Sequence, residues 1–87
     1  MDHSNSPLIR RLKIIEGQVR GLQELVASGA YCIDIITQTS AVKQALSNVE
    51  DILLEHHLGH CTIRQVREGK TEKAKREILK VYRLKRK

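Results

Sequence analysis

The chain has 87 residues and a formal net charge of +6 at pH 7. Hydrophobic residues make up 40% of it, but there are two tyrosines, no tryptophan and no phenylalanine, so the apolar side chains are almost all aliphatic. A chain of this length buries only about 60% of its unfolded surface, which makes such a core marginal by itself. We therefore expect one domain over residues 1–87, with residues 1–6 as a flexible tail, stabilised by oligomerisation or by a metal.

Composition and charge also exclude some classes of protein. No apolar run approaches the roughly 20 residues that a membrane span needs, and the first residues do not resemble a signal peptide, so we expect a soluble cytoplasmic protein without a membrane partner. Residues 1–63 hold five basic and seven acidic side chains, whereas residues 64–87 hold eleven basic and three acidic ones. This excess of positive charge predicts a polyanionic partner, nucleic acid before membrane.

The first predicted helix begins near Pro7, with Ser6 as its N-cap, because proline suits the first helical position. It ends at Gly29, a residue that accepts the left-handed conformation of a helix C-terminus. Its apolar residues alternate between spacings of four and three, which is a helical period and not a strand pattern. They are Leu8, Leu12, Ile15, Val19, Leu22 and Val26.

The second predicted helix runs from about Tyr31 to His57 or beyond, because no glycine or proline interrupts this stretch. Residues 47–50 resemble a capping box, which would start a new helix there, but we favour a continuous helix. Its apolar-stripe positions have the same spacing as those of the first helix. They are Ile35, Thr39, Val42, Leu46, Val49 and Leu53.

The third predicted helix follows a polar segment, residues 63–70, that leads to a turn at Gly69. Gly59 is expected to loosen the end of the second helix, and Thr71 to cap the third. One face of the third helix is apolar, and lysine and arginine occupy the rest. The fold class is therefore all-α, with three helices in one chain. The residues of the apolar face are Ala74, Ile78, Val81 and Tyr82.

Cys32, His57 and Cys61 carry the donor atoms that bind soft and intermediate metals. His57 and Cys61 are four residues apart and share a helix face. A continuous helix separates Cys32 from His57 by about 37 Å, so one chain cannot bring the three together. Two chains can, if their second helices pack antiparallel about a two-fold axis. On spacing alone, Cys32 as a core residue and the histidines as a solvated helix end fit equally well. His3 is either a tail residue or an extra ligand.

Two segments resemble helix motifs of one known family. Residues 11–22 (RLKIIEGQVRGL) are similar to the first-helix motif, and residues 34–46 (DIITQTSAVKQAL) to the second-helix motif, of the copper-sensitive operon repressors, the CsoR/RcnR-like metal-responsive repressors. The resemblance implies a three-helix protomer that forms an antiparallel four-helix-bundle dimer and then a dimer of dimers. It also implies a metal site made of Cys32 from one protomer with His57 and Cys61 from the next.

The same resemblance implies a repressor that binds operator DNA when it is metal-free and leaves it when metal binds. Two sulfur ligands and one nitrogen suit trigonal Cu(I), whereas Zn(II), Co(II) and Ni(II) usually take four or more ligands. Similarity to the copper branch implies that Tyr31 and Glu77 interact with His57. Two alternatives remain within the family. One is a Ni(II) or Co(II) sensor that recruits His3, and the other is a persulfide sensor that needs only the two cysteines.

The predicted DNA-binding surface is basic, because the sequence has no helix-turn-helix pattern and no aromatic stacking platform. Asn48 stands where the copper branch often has an arginine, so the footprint on DNA is expected to differ in detail. The basic C-terminal segment is interpreted as a solvated face that adds phosphate contacts. The residues that the resemblance assigns to the operator-facing surface are Arg10, Arg11, Lys13, Arg20 and Lys43.

The competing interpretation is a thiol hydrolase in which His57 activates Cys61 as a nucleophile. Such an enzyme also needs an oxyanion-stabilising loop, a third group that orients the histidine, and a substrate pocket. The sequence shows no sign of these features, so the chain is not predicted to be an enzyme. A third interpretation, a basic amphipathic helix that binds membranes or partner proteins, depends on residues 72–87 alone.

Overall fold

The computed structural model describes residues 6–86, and within them it contains helices and turns but no strand. One α-helix passes directly into a π-helical segment and then into a short α-helix, so residues 32–67 form one uninterrupted helical stretch. The described part of the chain therefore has three separate helices, and the predicted all-α class is confirmed. The elements are α1 (Ser6–Ala27), α2 (Cys32–His56), the π-helical segment (His57–Thr62), α3 (Ile63–Arg67) and α4 (Thr71–Lys85).

Two glycines end the helices that precede the turns. Gly29 and Gly69 have φ angles of 72° and 78°, and no other residue in the described range has a positive φ. A side chain at such an angle is strained, and glycine avoids that strain. After α1, the amide of Ala30 donates to the carbonyl of Leu25 at 3.0 Å. After α3, the amide of Lys70 donates to the carbonyl of Gln65 at 2.7 Å. Both turns lie where the sequence predicts them.

The second helix is continuous across residues 47–50, and the sequence-based prediction of one uninterrupted helix here is confirmed. Inside it, the amide Nε2 of Gln44 donates to Oδ1 of Asn48 at 3.0 Å, a bond between neighbouring turns of the helix. The structure corrects the sequence-based boundaries in three places. Ser6 is the first residue of α1 and not a residue before it. Residues 63–67 are helical. Lys70, not Thr71, is the N-cap of α4, and it makes no side-chain cap bond.

The chain divides into two compact units, and the first comprises α1 and α2 as far as Ile52. Its core is a cluster of Ile15, Val42 and Val49, each no more than 7% exposed. These three residues belong to the two stripes that the helical spacing predicts. The partly buried residues packed against the cluster are Leu8, Leu22 and Ala45.

The second unit comprises residues 53–87. Ala74 of α4 is 3% exposed, which is the lowest exposure among the core residues, and Gln65 of α3 is buried at 9%. The side chain of Gln65 donates a hydrogen bond from Nε2 to Oε1 of Glu77 at 2.5 Å. This bond joins α3 to α4 across the turn at Gly69.

Much of the predicted apolar surface stays in contact with solvent in the single chain. Leu12 and Val26 of the first stripe are 44% and 62% exposed, and Leu46 and Leu53 of the second are 44% and 41% exposed. Soluble monomers rarely expose so many large apolar side chains, and contiguous apolar surface commonly marks an interaction site. Among the described residues, no helix is both long enough and apolar enough to cross a lipid bilayer.

Candidate metal centre

The two cysteines occupy different elements of the chain. Cys32 is the first residue of α2 and its side chain is exposed, whereas Cys61 lies in the π-helical segment and is half-buried. Neither thiol is part of a disulfide. Thiolate sulfur is a good donor to soft metal ions.

His57 begins the π-helical segment, and Cys61 lies four residues later on it. A π-helix closes its hydrogen bonds one residue later than an α-helix, and such turns occur frequently at functional sites. Residues four apart still share a face, which the rings of His56 and His60 demonstrate, since their centroids are 4.5 Å apart. His57 and Cys61, shifted by one position from this pair, have the same spacing.

The imidazole of His57 is half-buried, and its Nε2 atom is buried without a hydrogen-bond partner. Burying a polar nitrogen without a partner costs about 1–3 kcal/mol, so such atoms often mark a place where something else binds. Imidazole nitrogen and thiolate sulfur suit Cu(I), Zn(II), Co(II) and Ni(II), and they suit Mg(II) and Ca(II) poorly. The donor set therefore fits a soft or intermediate metal ion.

Glu77 lies on α4, close enough to His57 for an electrostatic interaction. The pKa of Glu77 is lowered below its usual value, first by the hydrogen bond from Gln65 and then by electrostatic interactions with His57, Lys73 and Arg76, while desolvation opposes these effects. In the structure the side-chain hydrogen bond of Glu77 comes from Gln65, and the pairing of Glu77 with His57 stays a prediction. Sequence reasoning missed Gln65, because no local signal distinguishes it from other polar residues in this segment.

The single chain does not bring Cys32 together with His57 and Cys61. Helix α2 has Cys32 as its first residue and His56 as its last, and 25 helical residues span about 37 Å. Within residues 6–86, no group of three or more His, Cys, Asp or Glu side chains is close enough to hold a metal.

Two of the predicted metal-site residues are not tested by these contacts. His3 lies outside the described residues. Tyr31 lies directly before α2, with a side chain that is 69% exposed and a carbonyl that accepts hydrogen bonds from the amides of Asp34 and Ile35. The interaction of Tyr31 with His57 stays a prediction.

The residues predicted to face DNA lie on the first unit, and all of them are exposed. Four lie on α1 and one on α2, which leaves their positive charges available to phosphates. At the end of α4, the guanidinium of the C-cap residue Arg86 lies over the ring of Tyr82, 5.7 Å from its centre. The exposed basic residues of the first unit are Arg10, Arg11, Lys13, Arg20 and Lys43.

Comparison with known proteins identifies relatives along most of the chain. The copper-sensing transcriptional repressor CsoR of Bacillus subtilis is 47% identical over 75 residues, which are 86% of this chain and 74% of that protein. The copper-sensing transcriptional repressor RicR of Mycobacterium tuberculosis is 50% identical over 60 residues, 69% of this chain and 62% of that one. This chain thus spans less than two thirds of the length of RicR and about three quarters of the length of the Bacillus protein.

A solved structure has the same fold. The copper-sensing repressor CsoR of Geobacillus thermodenitrificans, crystallised with Cu(I), matches with a TM-score of 0.90 and 42% identity, over 100% of this chain and 91% of that one. The family model of the metal-sensitive transcriptional repressors matches residues 4–84. These matches confirm the family that the two helix motifs predict, and with it a transcriptional regulator and not an enzyme. The chain belongs to the metal-sensitive transcriptional repressor family.

Proposed function

We propose that this chain is a copper-sensing transcriptional repressor, which binds operator DNA when it is metal-free and is released when Cu(I) binds. The observation that carries this proposal is the donor set of Cys32, His57 and Cys61 in a chain whose relatives are named copper-sensing repressors. Because Cu(I) lowers DNA affinity in this scheme, DNA must lower Cu(I) affinity by the same factor. A regulator of this kind works in the cytoplasm, where bacterial operator DNA is found.

The proposed metal site lies between two chains. Cys32 of one protomer joins His57 and Cys61 of the other, because α2 is too long for the three residues to meet within one chain. An antiparallel pair of α2 helices satisfies this requirement and forms two equal sites per dimer. Leu46, near the middle of α2, and Leu53 are more than 40% exposed, and they offer the apolar surface that such a pairing buries. Two such dimers form the proposed tetramer.

Cu(I) is the proposed effector because two thiolates and one imidazole form a complete trigonal set for this ion. Ni(II) and Co(II) need further ligands, of which His3 is the candidate in this chain. A persulfide sensor would need only Cys32 and Cys61. The half-buried imidazole of His57, with its unpartnered Nε2 atom, supports a metal over a persulfide.

In the proposed switch, metal binding at His57 changes the interactions of α4. A histidine that binds a metal through one ring nitrogen usually donates the other ring N–H to a carboxylate, a carbonyl or water. Glu77 is the nearby carboxylate in the same unit, and Tyr31 of the other protomer is the second candidate. Cu(I) then favours a conformation whose basic surface fits the operator less well. In this proposal the DNA-binding surface consists of Arg10, Arg11, Lys13, Arg20 and Lys43.

Binding of a labelled operator fragment, followed by fluorescence anisotropy, tests the proposed function. We expect tight binding without metal and release by Cu(I), with weaker or no release by Ni(II), Co(II), Zn(II) or a persulfide donor. Release by Ni(II) or persulfide at lower concentration than by Cu(I) would assign the chain to another branch of the family.

Mixing two inactive variants tests the site between chains. Cys32→Ser retains His57 and Cys61, whereas the double variant His57→Ala/Cys61→Ser retains Cys32. Neither variant alone completes a site, but one chain of each forms one complete site per dimer. We expect a mixture refolded together to bind half as much Cu(I) as the wild type if every dimer is mixed, and about one quarter as much if the chains pair at random, because one complete site then forms in about half of the dimers. Each variant alone should bind none tightly. No gain on mixing would contradict the site between chains.

A further inference from the structure

Gln65 is the polar side chain that the described part of the structure buries most fully. It is 9% exposed, and only one end of its amide has a partner. Its Nε2 atom donates to Oε1 of Glu77 at 2.5 Å, and its own Oε1 is buried without a hydrogen bond. A buried amide that is only half satisfied destabilises the fold. Packing alone therefore does not explain a glutamine at this position.

The bond from Gln65 connects two helices at a particular point. Its side chain reaches Glu77, twelve residues further along the chain, and its backbone carbonyl accepts the amide of Lys70 in the turn between α3 and α4. Gln65 thus holds both the turn and the carboxylate of Glu77. That carboxylate lies within electrostatic range of His57.

We propose that Gln65 is a positioning residue, which holds the carboxylate of Glu77 beside His57 before Cu(I) arrives and so strengthens the effect of Cu(I) on DNA binding. This inference rests on the proposed function, because it concerns the coupling between metal and operator. Gln65 itself touches neither the metal nor the DNA in this scheme.

Two physical effects support the role. A glutamate side chain loses rotamer freedom when it is fixed, and here Gln65 fixes Glu77 before the metal binds. A carboxylate also has enough lone pairs to accept from the Gln65 amide and from an imidazole N–H together. The bond from Gln65 therefore holds the carboxylate of Glu77 in place and leaves it able to accept a second hydrogen bond. It also favours the charged carboxylate, which is the better acceptor.

The variant Gln65→Met tests the proposal, because methionine has a similar length and lacks both polar atoms. It removes the unpartnered Oε1, so the Tm of the metal-free protein should stay equal or rise. The ratio of operator affinity without Cu(I) to that with Cu(I) should fall, by up to about tenfold, because Gln65 acts through Glu77, and loss of a direct partner of a metal ligand such as Glu77 costs about 10- to 100-fold. Gln44→Met, at an exposed glutamine of α2, is the matched control and should keep the wild-type ratio.

A double-mutant cycle with Glu77→Gln separates positioning from a structural role. If Gln65 acts through Glu77, then Gln65→Met should change the affinity ratio little once Glu77→Gln is present. Independent, multiplying effects would overturn the proposal, and so would a wild-type ratio in Gln65→Met. If Gln65→Met does not fold, Gln65→Glu keeps the length and polarity of the side chain but loses the amide donor, and the same reduction is expected.

Different experimental results would contradict the role of Gln65 and the proposed function. If the wild-type protein binds operator DNA and Cu(I) does not release it, the proposed function is wrong. If Cu(I) releases the wild-type protein and Gln65→Met equally well, only the role of Gln65 is wrong.

Discussion

The two units of the chain differ in what they bury. The first buries aliphatic side chains, Ile15, Val42 and Val49, which need no hydrogen-bond partner. The second buries polar atoms, and among residues 53–86 three of these have no hydrogen-bond partner: Nε2 of His57, Oγ1 of Thr62 and Oε1 of Gln65. Each unsatisfied atom of this kind costs about 1–3 kcal/mol. The first unit thus resembles a scaffold. The second contains buried polar groups that would be stabilised by binding a metal ion or another chain.

The largest effect is expected at the metal site of the second unit. Cys61→Ser should leave metal-free operator binding close to that of the wild type and lower Cu(I) affinity by more than about 100-fold, since even the partners of metal ligands contribute 10- to 100-fold. Serine is nearly isosteric but is a poor ligand for Cu(I). Competition with a Cu(I) chelator and operator anisotropy measure the two quantities.

Cys32→Ser gives the matched comparison for this prediction. Cys32 is exposed in the single chain, so its replacement should perturb the fold little. Loss of Cu(I) affinity in both variants supports a shared site. Loss in Cys61→Ser alone would restrict the site to the second unit.

The next largest effect is expected in the core of the first unit. Ile15→Ala should lower the free energy of unfolding by about 2–5 kcal/mol, because it removes buried methylene groups and leaves a cavity. Chemical denaturation followed by circular dichroism measures this change, at several chain concentrations because an oligomer makes stability depend on concentration. A loss below about 1 kcal/mol would contradict the central place of Ile15 in the core.

Ile14→Ala, one residue earlier, is the exposed counterpart of Ile15→Ala. Ile14 is 58% exposed in the single chain, and a surface substitution usually changes stability by no more than about 0.5 kcal/mol. A loss as large as that of Ile15→Ala, decreasing at low chain concentration, would show that another copy buries Ile14.

A smaller effect is expected from overfilling the second unit. Ala74 is 3% exposed, and Ala74→Leu should lower the free energy of unfolding by about 1–3 kcal/mol, because the larger side chain forces its neighbours apart. Lys75→Leu, at the next and exposed position of α4, is the control and should cost less. Equal losses of stability in the two variants would indicate that the space around Ala74 accepts a leucine side chain.

The smallest expected effect is a change in the pH dependence of stability. The pKa of Glu77 is lowered in the folded protein, mainly by the hydrogen bond from Gln65. Its contribution to stability is therefore present above the pKa of the unfolded chain and is lost as the pH falls through the lower folded pKa. Glu77→Gln should flatten the loss of stability that occurs as the pH falls below the ordinary pKa of a glutamate side chain in the metal-free protein. Thermal unfolding at several pH values in this range measures the pH dependence of stability. An equal flattening in Glu72→Gln would contradict the claim that the bond from Gln65 to Glu77 causes the effect.

Helix positions and turns were predictable because their signals are local. The spacing of apolar residues predicts the helices, and Gly29 and Gly69 lie at the turns because glycine tolerates a positive φ. The π-helical segment was not predictable, since Gly59 suggests a loosened helix end and not a wider turn. The extension of the helix to Arg67 was missed for the same reason.

Burial within a stripe was predictable only in part. Ile15 and Leu12 share one stripe, yet Ile15 is 6% exposed and Leu12 is 44% exposed. Periodicity identifies the apolar face of a helix, but packing decides which members of that face are covered. The candidate ligands were found from the chemistry of their side chains and from a family resemblance. Gln65 was missed because its role depends on a partner twelve residues away.

The amino-acid sequence by itself determined the all-α class, the family and the donor atoms that the chain offers, because side-chain chemistry and helical period are properties of neighbouring residues. Only the tertiary structure decided that Glu77 accepts from Gln65 and that Nε2 of His57 is buried without a partner. Those facts depend on how α3 and α4 pack across the turn at Gly69. Packing between elements follows from the balance of burial and hydrogen bonding over the whole unit, which no local pattern records.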